Sequence, residues 1–197
     1  MDETRTIQEA QGGSLAAFNQ LVMAYQGTAY NVAYRVIGEG EAAADACQDA
    51  FLKAYQAIKQ YRGGSFKSWL MRIVTNTCYD HLRYKGRRPA NSLEDMVENP
   101  TSDSVKLVNG AEHPEERVLR GELNDLIQIG ISRLPEDQRL VLVLSDVQGF
   151  SYQEIAEIVD QPLGTVKSRL SRGRQRLRDF LWQQQELLPS QYRLNDE

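Results

Sequence analysis

Ser151-Tyr-Gln-Glu-Ile-Ala-Glu-Ile-Val-Asp-Gln-Pro-Leu-Gly-Thr-Val-Lys-Ser-Arg-Leu-Ser-Arg-Gly-Arg-Gln-Arg-Leu-Arg178 is the stretch whose reading decides the fold. It opens on a capping box. The Ser151 oxygen accepts the amide three residues on while the Glu154 side chain reaches back, so a helix starts at Ser151. Ile155, Ala156, Ile158 and Val159 supply its buried side, and Ala156 is small enough to let a second helix cross closely. Asp160 and Gln161 form the turn, and Pro162 suits the first position of the next helix, where a missing N–H is no loss. Many such turns carry Gly; Asp160 departs from that, although Asp tolerates a left-handed backbone better than most residues. In the second helix Val166, Leu170, Gly173 and Leu177 make the buried stripe, leaving Thr165, Lys167, Ser168, Ser171, Arg172 and Gln175 outward. This is the layout of a helix-turn-helix with a recognition helix. Hydroxyl and amide groups reach base edges while Arg169, Arg174, Arg176 and Arg178 neutralise phosphates. Arginines alone would favour a solvated face on a structural helix; the capping box, short turn and preceding helix turn the reading to DNA.

Upstream of this motif, Val118, Leu119, Leu123, Leu126 and Ile127 fall on one helix. Leu134-Pro135 opens another, carrying Leu140, Val143, Leu144 and Val147 and ending at Gly149. Further back, from Arg88 to about Pro114, the apolar periodicity lapses and Pro, Asn, Ser, Asp and Glu dominate, the composition of a linker. The first ninety residues again read as helices. Their stripes are Leu15, Phe18, Leu21, Val22 and Tyr25; then Ala43, Cys47, Ala50, Phe51, Ala54 and Ile58; then Trp69, Leu70, Ile73, Val74, Thr77 and His81. Gly38 to Gly40 and Gly63 to Gly64 punctuate them. The expected fold is all-α, two small helical domains joined by an extended linker. The bounds are 1–90 for the first domain, 91–116 for the linker, 117–185 for the second domain and 186–197 for a tail.

A chain of 197 residues with 41% apolar content accommodates two such units. It has no apolar run long enough to span a bilayer, and its first residues are polar and acidic, so a cytoplasmic protein without membrane insertion is expected. Cys47 and Cys78 form no CxxC pair and have only His81 and His113 for company, so no metal or other cofactor is expected. Both thiols are expected reduced and packed. The net charge of −4 conceals an uneven distribution. Arg62, Lys67, Arg72, Arg83, Lys85, Arg87 and Arg88 face Asp80 alone, and the block from Lys167 to Arg178 contains no acid. Between these basic blocks, Ser92 to Asp125 is strongly acidic. Such asymmetry points to nucleic acid.

The first basic block lies on a helix from about Phe66 to Tyr84 that exposes Arg72, Asn76, Tyr79, Asp80 and Arg83, with Tyr61, Phe66 and Trp69 crowding its entrance. Aromatic faces beside cations suit single-stranded DNA, because unstacked bases lie on the rings while arginines hold the backbone. Aromatics at helical spacing also serve as core, and Trp69 is expected to be mainly core.

Over nearly its whole length the chain resembles the extracytoplasmic-function sigma factors of RNA polymerase. Three stretches carry the resemblance: Asp45-Ala-Cys-Gln-Asp-Ala-Phe-Leu-Lys-Ala-Tyr55; Phe66-Lys-Ser-Trp-Leu-Met-Arg-Ile-Val-Thr-Asn-Thr77 through Gly86-Arg-Arg-Pro89; and Leu134-Pro-Glu-Asp-Gln-Arg139 through Gly149–Ala156 and Gly164–Arg169. It implies that Asp45, Gln48, Asp49 and Phe51 meet the polymerase clamp. It implies that Asn76, Asp80 and Arg83, with the Tyr61–Phe66 loop and Arg72, read a flipped base of the minus-10 element. Thr165, Lys167, Ser168, Arg169, Ser171, Arg172 and Arg174 then serve the minus-35 element. The implied partners are core RNA polymerase at its beta-prime clamp and beta flap, promoter DNA both duplex and single-stranded, and an anti-sigma factor. In that family the linker threads toward the polymerase active centre, where the acidic stretch would mimic RNA.

The implied mechanism has no covalent step: pockets that bind only unpaired bases shift the duplex toward the bubble. An ordinary helix-turn-helix repressor or activator is the rival reading, and it predicts palindromic sites bound without polymerase. An enzyme is disfavoured, since no nucleophile with a base, phosphate loop or carboxylate pair on a shared face is found.

Overall fold

The computed structural model describes residues 2–87 and 114–184, which form helices with no strand among them. The linker interior and the tail from residue 185 lie outside the described residues. In chain order the helices are α1 (Glu3–Gln11), α2 (Leu15–Ile37), α3 (Gly40–Ala57), α4 (Phe66–Arg87), α5 (Pro114–Ser132), α6 (Glu136–Leu142), α7 (Tyr152–Val159) and α8 (Leu163–Gln183). A 3-10 turn, Ile58–Gln60, follows α3, and α6 runs on into a π-helical turn, Val143–Val147.

Local chemistry sets the boundaries. Ser14 caps α2 by accepting the Ala17 amide at 3.2 Å, and Gly38 ends it in the left-handed region at φ 86°. The α1 helix was not singled out by any stripe. It is capped by Asp2 and buries Thr6, Ile7 and Ala10. Its Gln11 side chain donates to the carbonyls of Ile58 at 3.1 Å and Tyr61 at 2.9 Å, tying the α3–α4 connection down. Ala43, Ala46, Ala50 and Ala54 are fully buried along α3, a small-residue stripe that lets α2 and α4 approach. Leu15, assigned to the α2 stripe, is 57% exposed, because it sits at the first turn before that helix reaches the bundle.

The α5 helix opens at Pro114. Ser151 and Glu154 form the capping box in both directions, and Asp160 takes φ 53°, the sole positive φ of a non-glycine among the described residues. Pro162 stands at the cap rather than the first turn of α8, with Leu163 the first helical residue, a one-residue difference in boundary. Val166, Leu170 and Gly173 are buried as the stripe required, and a methyl at Gly173 would stand 3.3 Å from the Gln138 carbonyl oxygen, so α8 crosses α6 at close range.

The two units share a seam in which α4 packs on α7 and α2 on α5 and α6. The apolar cores are continuous across it.

Candidate nucleic-acid interface

At the entrance to α4, Phe66, Tyr61 and Trp69 form an aromatic nest with ring centroids 5.3 to 5.5 Å apart, and Tyr25 adds a fourth ring 5.7 Å from Phe66. Gly63 and Gly64, both at positive φ, turn the chain over the nest, and the Tyr61 hydroxyl donates to the Gly64 carbonyl at 2.7 Å. Ser65 closes the turn by accepting the Ser68 amide at 3.1 Å. Phe66, expected among the base-contacting residues, is 2% exposed. Its ring is the floor of the nest, because the first helical residue after the glycines points into the bundle. Tyr61 and Trp69 remain half-buried, and burial raises the pKa of the Tyr61 hydroxyl.

Beyond the nest, Arg72, Asn76, Asp80 and Arg83 are all exposed along one side of α4. Lys53 of α3, which the sequence reading did not single out as a site residue, lies 3.4 Å from Asp80 and donates to Thr77 Oγ1 at 3.3 Å, so it orients the carboxylate from the neighbouring helix. Tyr79 is turned inward. Its hydroxyl donates to the Glu136 carbonyl at 3.4 Å, and burial pushes its pKa up to about 12.

On α3, Asp45, Gln48 and Asp49 are exposed and Phe51 is half-buried. Asp49 accepts from His81 at 3.2 Å. Leu52, seven residues after Asp45 and hence on the same face, is 56% exposed, and Tyr55 is 40% exposed beyond it. That face is acidic with an apolar end.

Lys167, Ser171, Arg172 and Gln175 are exposed on α8, whereas Thr165 and Ser168 are half-buried and joined by a 2.9 Å bond from the Ser168 hydroxyl to the Thr165 carbonyl. Two arginines expected at phosphates are engaged within the protein. Arg169 pairs with Asp137 at 2.9 Å. Arg174 forks onto Asp146, with Nε 2.9 Å from one carboxylate oxygen, and also reaches Tyr152 and Ser145. That fork holds the Asp146 carboxyl below its usual range. The pairing of Asp137 and Asp146 with these arginines was not readable from motifs because the partners lie roughly thirty residues away in sequence. Among the described residues no cluster of His, Cys, Asp or Glu is suited to a metal, and no helix is long and apolar enough to cross a membrane.

A capped helix-turn-helix presenting a basic helix, joined to a helical bundle whose own basic helix ends in an aromatic nest, defines a two-unit DNA-binding protein of the transcription machinery. Residues 21–88 match Sigma-70 region 2 and residues 127–177 match Sigma-70, region 4. The chain is 39% identical over 170 residues to the ECF RNA polymerase sigma-E factor of Escherichia coli K12, spanning 86% of this chain and 88% of that one. It is 36% identical over 174 residues to the RNA polymerase sigma-H factor of Pseudomonas aeruginosa PAO1, spanning 88% and 90%. Among solved structures it resembles the sigma factor RpoE in complex with the anti-sigma factor NepR from Bartonella quintana. That match has a TM-score of 0.63 at 27% identity and covers 83% of this chain and 96% of that one. A second is CnrH in complex with the cytosolic domain of CnrY, with a TM-score of 0.62 at 25% identity, covering 89% and 94%. The chain belongs to the extracytoplasmic-function group of sigma-70 family RNA polymerase sigma factors. It is an alternative sigma factor that directs promoter-specific transcription initiation.

Proposed function

We propose that the chain divides promoter reading between its two basic helices, with no catalytic step of its own. Lys167, Ser168, Ser171 and Arg172 on α8 read the minus-35 duplex, the hydroxyls and Arg172 at base edges and Lys167 at phosphate. Arg174 and Arg169 act mainly by fixing α8 to the rest of its unit through Asp146 and Asp137. Asn76, Asp80 and Arg83, beside the Tyr61 loop and Arg72, hold unpaired minus-10 bases, so binding energy is gained only in the open strand.

The observation that carries this reading is the contrast between the two basic faces. On α8, polar side chains project from the first turns of a helix raised on a helix-turn-helix. On α4, the exposed row adjoins an aromatic nest roofed by two glycines in the left-handed region. The first geometry suits a major groove and the second suits splayed bases.

The acidic face of Asp45, Gln48 and Asp49, extended by Phe51 and Leu52, docks on the basic beta-prime clamp of core polymerase, while the second unit meets the beta flap. The proteins solved as complexes in the similar structures are held by CnrY and by NepR, which supports an anti-sigma partner for this chain as well. Its work lies in the cytoplasm, with the polymerase. The first domain spans residues 1–90, the linker 91–116 and the second domain 117–185, with a tail at 186–197.

Run-off transcription with purified core polymerase on a promoter library tests the assignment. Starts that depend on this protein and share two upstream motifs are expected. Tight binding to palindromic duplex without polymerase, and no dependent transcripts, would move the reading to a repressor or activator.

A further inference from the structure

We propose that α1 is part of the minus-10 reader, with Gln11 as the positioning residue that holds the Tyr61–Phe66 loop in its base-accepting shape. This rests on the reading of α4 and its loop given above. The α1 helix itself lies ahead of the stretch, residues 21–88, that matches Sigma-70 region 2.

The loop has little of its own to hold it. Arg62, Gly63, Gly64 and Ser65 are all exposed, and a methyl at either glycine would meet nothing within 4 Å. Both glycines stand at positive φ, and glycine loses more backbone freedom on ordering than any other residue. Such a segment keeps one shape only if both of its ends are fixed.

The α4 side fixes one end, since Phe66 is buried and Ser65 accepts the Ser68 amide at 3.1 Å. The other end is fixed by α1. The amide nitrogen of Gln11 carries two hydrogens and donates to two carbonyls, Ile58 at 3.1 Å and Tyr61 at 2.9 Å. The Ile58 carbonyl also accepts the Tyr61 amide at 3.1 Å, so Gln11 clasps both ends of the 3-10 turn that leads into the loop. From there the Tyr61 hydroxyl donates to the Gly64 carbonyl at 2.7 Å, and one chain of bonds runs from α1 through Tyr61 to the glycines.

The opposite end of α1 reaches the same aromatic nest. The Tyr25 hydroxyl donates to Glu3, and the Tyr25 ring stands 5.7 Å from Phe66. Capped by Asp2 and seated by Thr6, Ile7 and Ala10, α1 offers Gln11 from a fixed helix end. The tether touches no base. It acts by ordering the loop in advance, so that a splayed base does not meet that entropy cost on binding.

The test uses holoenzyme reconstituted with the full chain or its variants. The probes are fluorescent single-stranded oligonucleotides carrying the minus-10 element recovered by run-off transcription, intact or with one base at a time made abasic. Tyr61→Ala marks the position the loop reads, as the base whose removal no longer matters to that variant. Gln11→Ala should lower affinity for the intact strand about tenfold, as expected when the competent loop falls from most of the population to a tenth. That loss should vanish on the strand abasic at the loop's position, while affinity for core polymerase and for minus-35 duplex stays as in the wild type. Gln11→Glu keeps the size, removes the donors and should behave alike, so the proposal stays testable if circular dichroism shows the alanine variant unfolded. A folded variant that binds every strand as the wild type does, or that loses affinity equally on all of them, would overturn the tether. If Tyr61→Ala instead leaves selectivity unchanged at every position, the loop is not a reader, and the tether falls with that reading.

Discussion

Arg172 and Arg174 stand two residues apart on α8 and differ in what their guanidinium groups touch. Arg172 is exposed, while Arg174 is forked onto Asp146. Arg172→Ala is therefore expected to weaken binding selectively at one position of the minus-35 element, by about 1 to 3 kcal/mol if the contact is bidentate. Arg174→Ala should weaken binding about equally on all sequences, because it loosens the helix instead of removing a base contact. Competition binding against a panel of single-base variants distinguishes these outcomes, and a uniform loss for Arg172→Ala would refute its assignment. Cys47 and Cys78 make a second test at this scale. Burial pushes both thiols up to about 12 from an ordinary 9.0. Near pH 8 a thiol reagent should modify them only as fast as the fold opens. The thiols' contribution to stability should be level below pH 9 and fall between about pH 9 and 12, where the unfolded chain ionises its thiols and the folded chain does not. Urea melts at stepped pH would show it.

The elements were legible in the sequence where a cap, a stripe and a terminator agreed. The α7–α8 motif is the best example: Ser151 and Glu154, the stripe at Val166, Leu170 and Gly173, and a left-handed Asp160 all appear as their side chains require. The α1 helix escaped notice because it is short and its buried side mixes Thr6 with Ile7 and Ala10. Phe66 was misplaced for a related reason, since spacing alone does not tell the floor of an aromatic nest from its rim. Close helix contacts are likewise hidden until the helices are in place. Gly130 of α5 has no evident reason in the sequence, yet a methyl there would stand 2.6 Å from Leu177 and 2.7 Å from Phe180 of α8. Gly121 of the same helix meets nothing within 4 Å. Gly121→Ala should stabilise the protein by up to about 1 kcal/mol through helix propensity. Gly130→Ala should destabilise it, because overpacking of about 1 to 3 kcal/mol exceeds that gain. Chemical denaturation of the two variants gives opposite shifts in midpoint if the α5–α8 contact is as described.

At the scale of the molecule, two helical units with a basic face on each could be read from the sequence, but their seam could not. Its bonds join Arg139 to Val36, 103 positions away, and Arg72 to the distant Asp160, and several of the acceptors are main-chain carbonyls that leave no mark on composition. A chain that reads two DNA elements with two rigid units gains from both only when their separation matches the promoter, because the second contact then forms at high effective concentration. In holoenzyme that separation is fixed by the polymerase, so the spacing between promoter elements should be strict. Inserting five base pairs between them turns one element by about half of a 10–10.5 base-pair helical turn relative to the other. Transcription should fall by roughly the hundredfold or more that loss of one linked site entails. Binding of the same protein to a duplex carrying only the minus-35 element should not change. Transcription that tolerates the insertion would mean that one unit alone selects the promoter, and the division of labour between α4 and α8 would have to be abandoned.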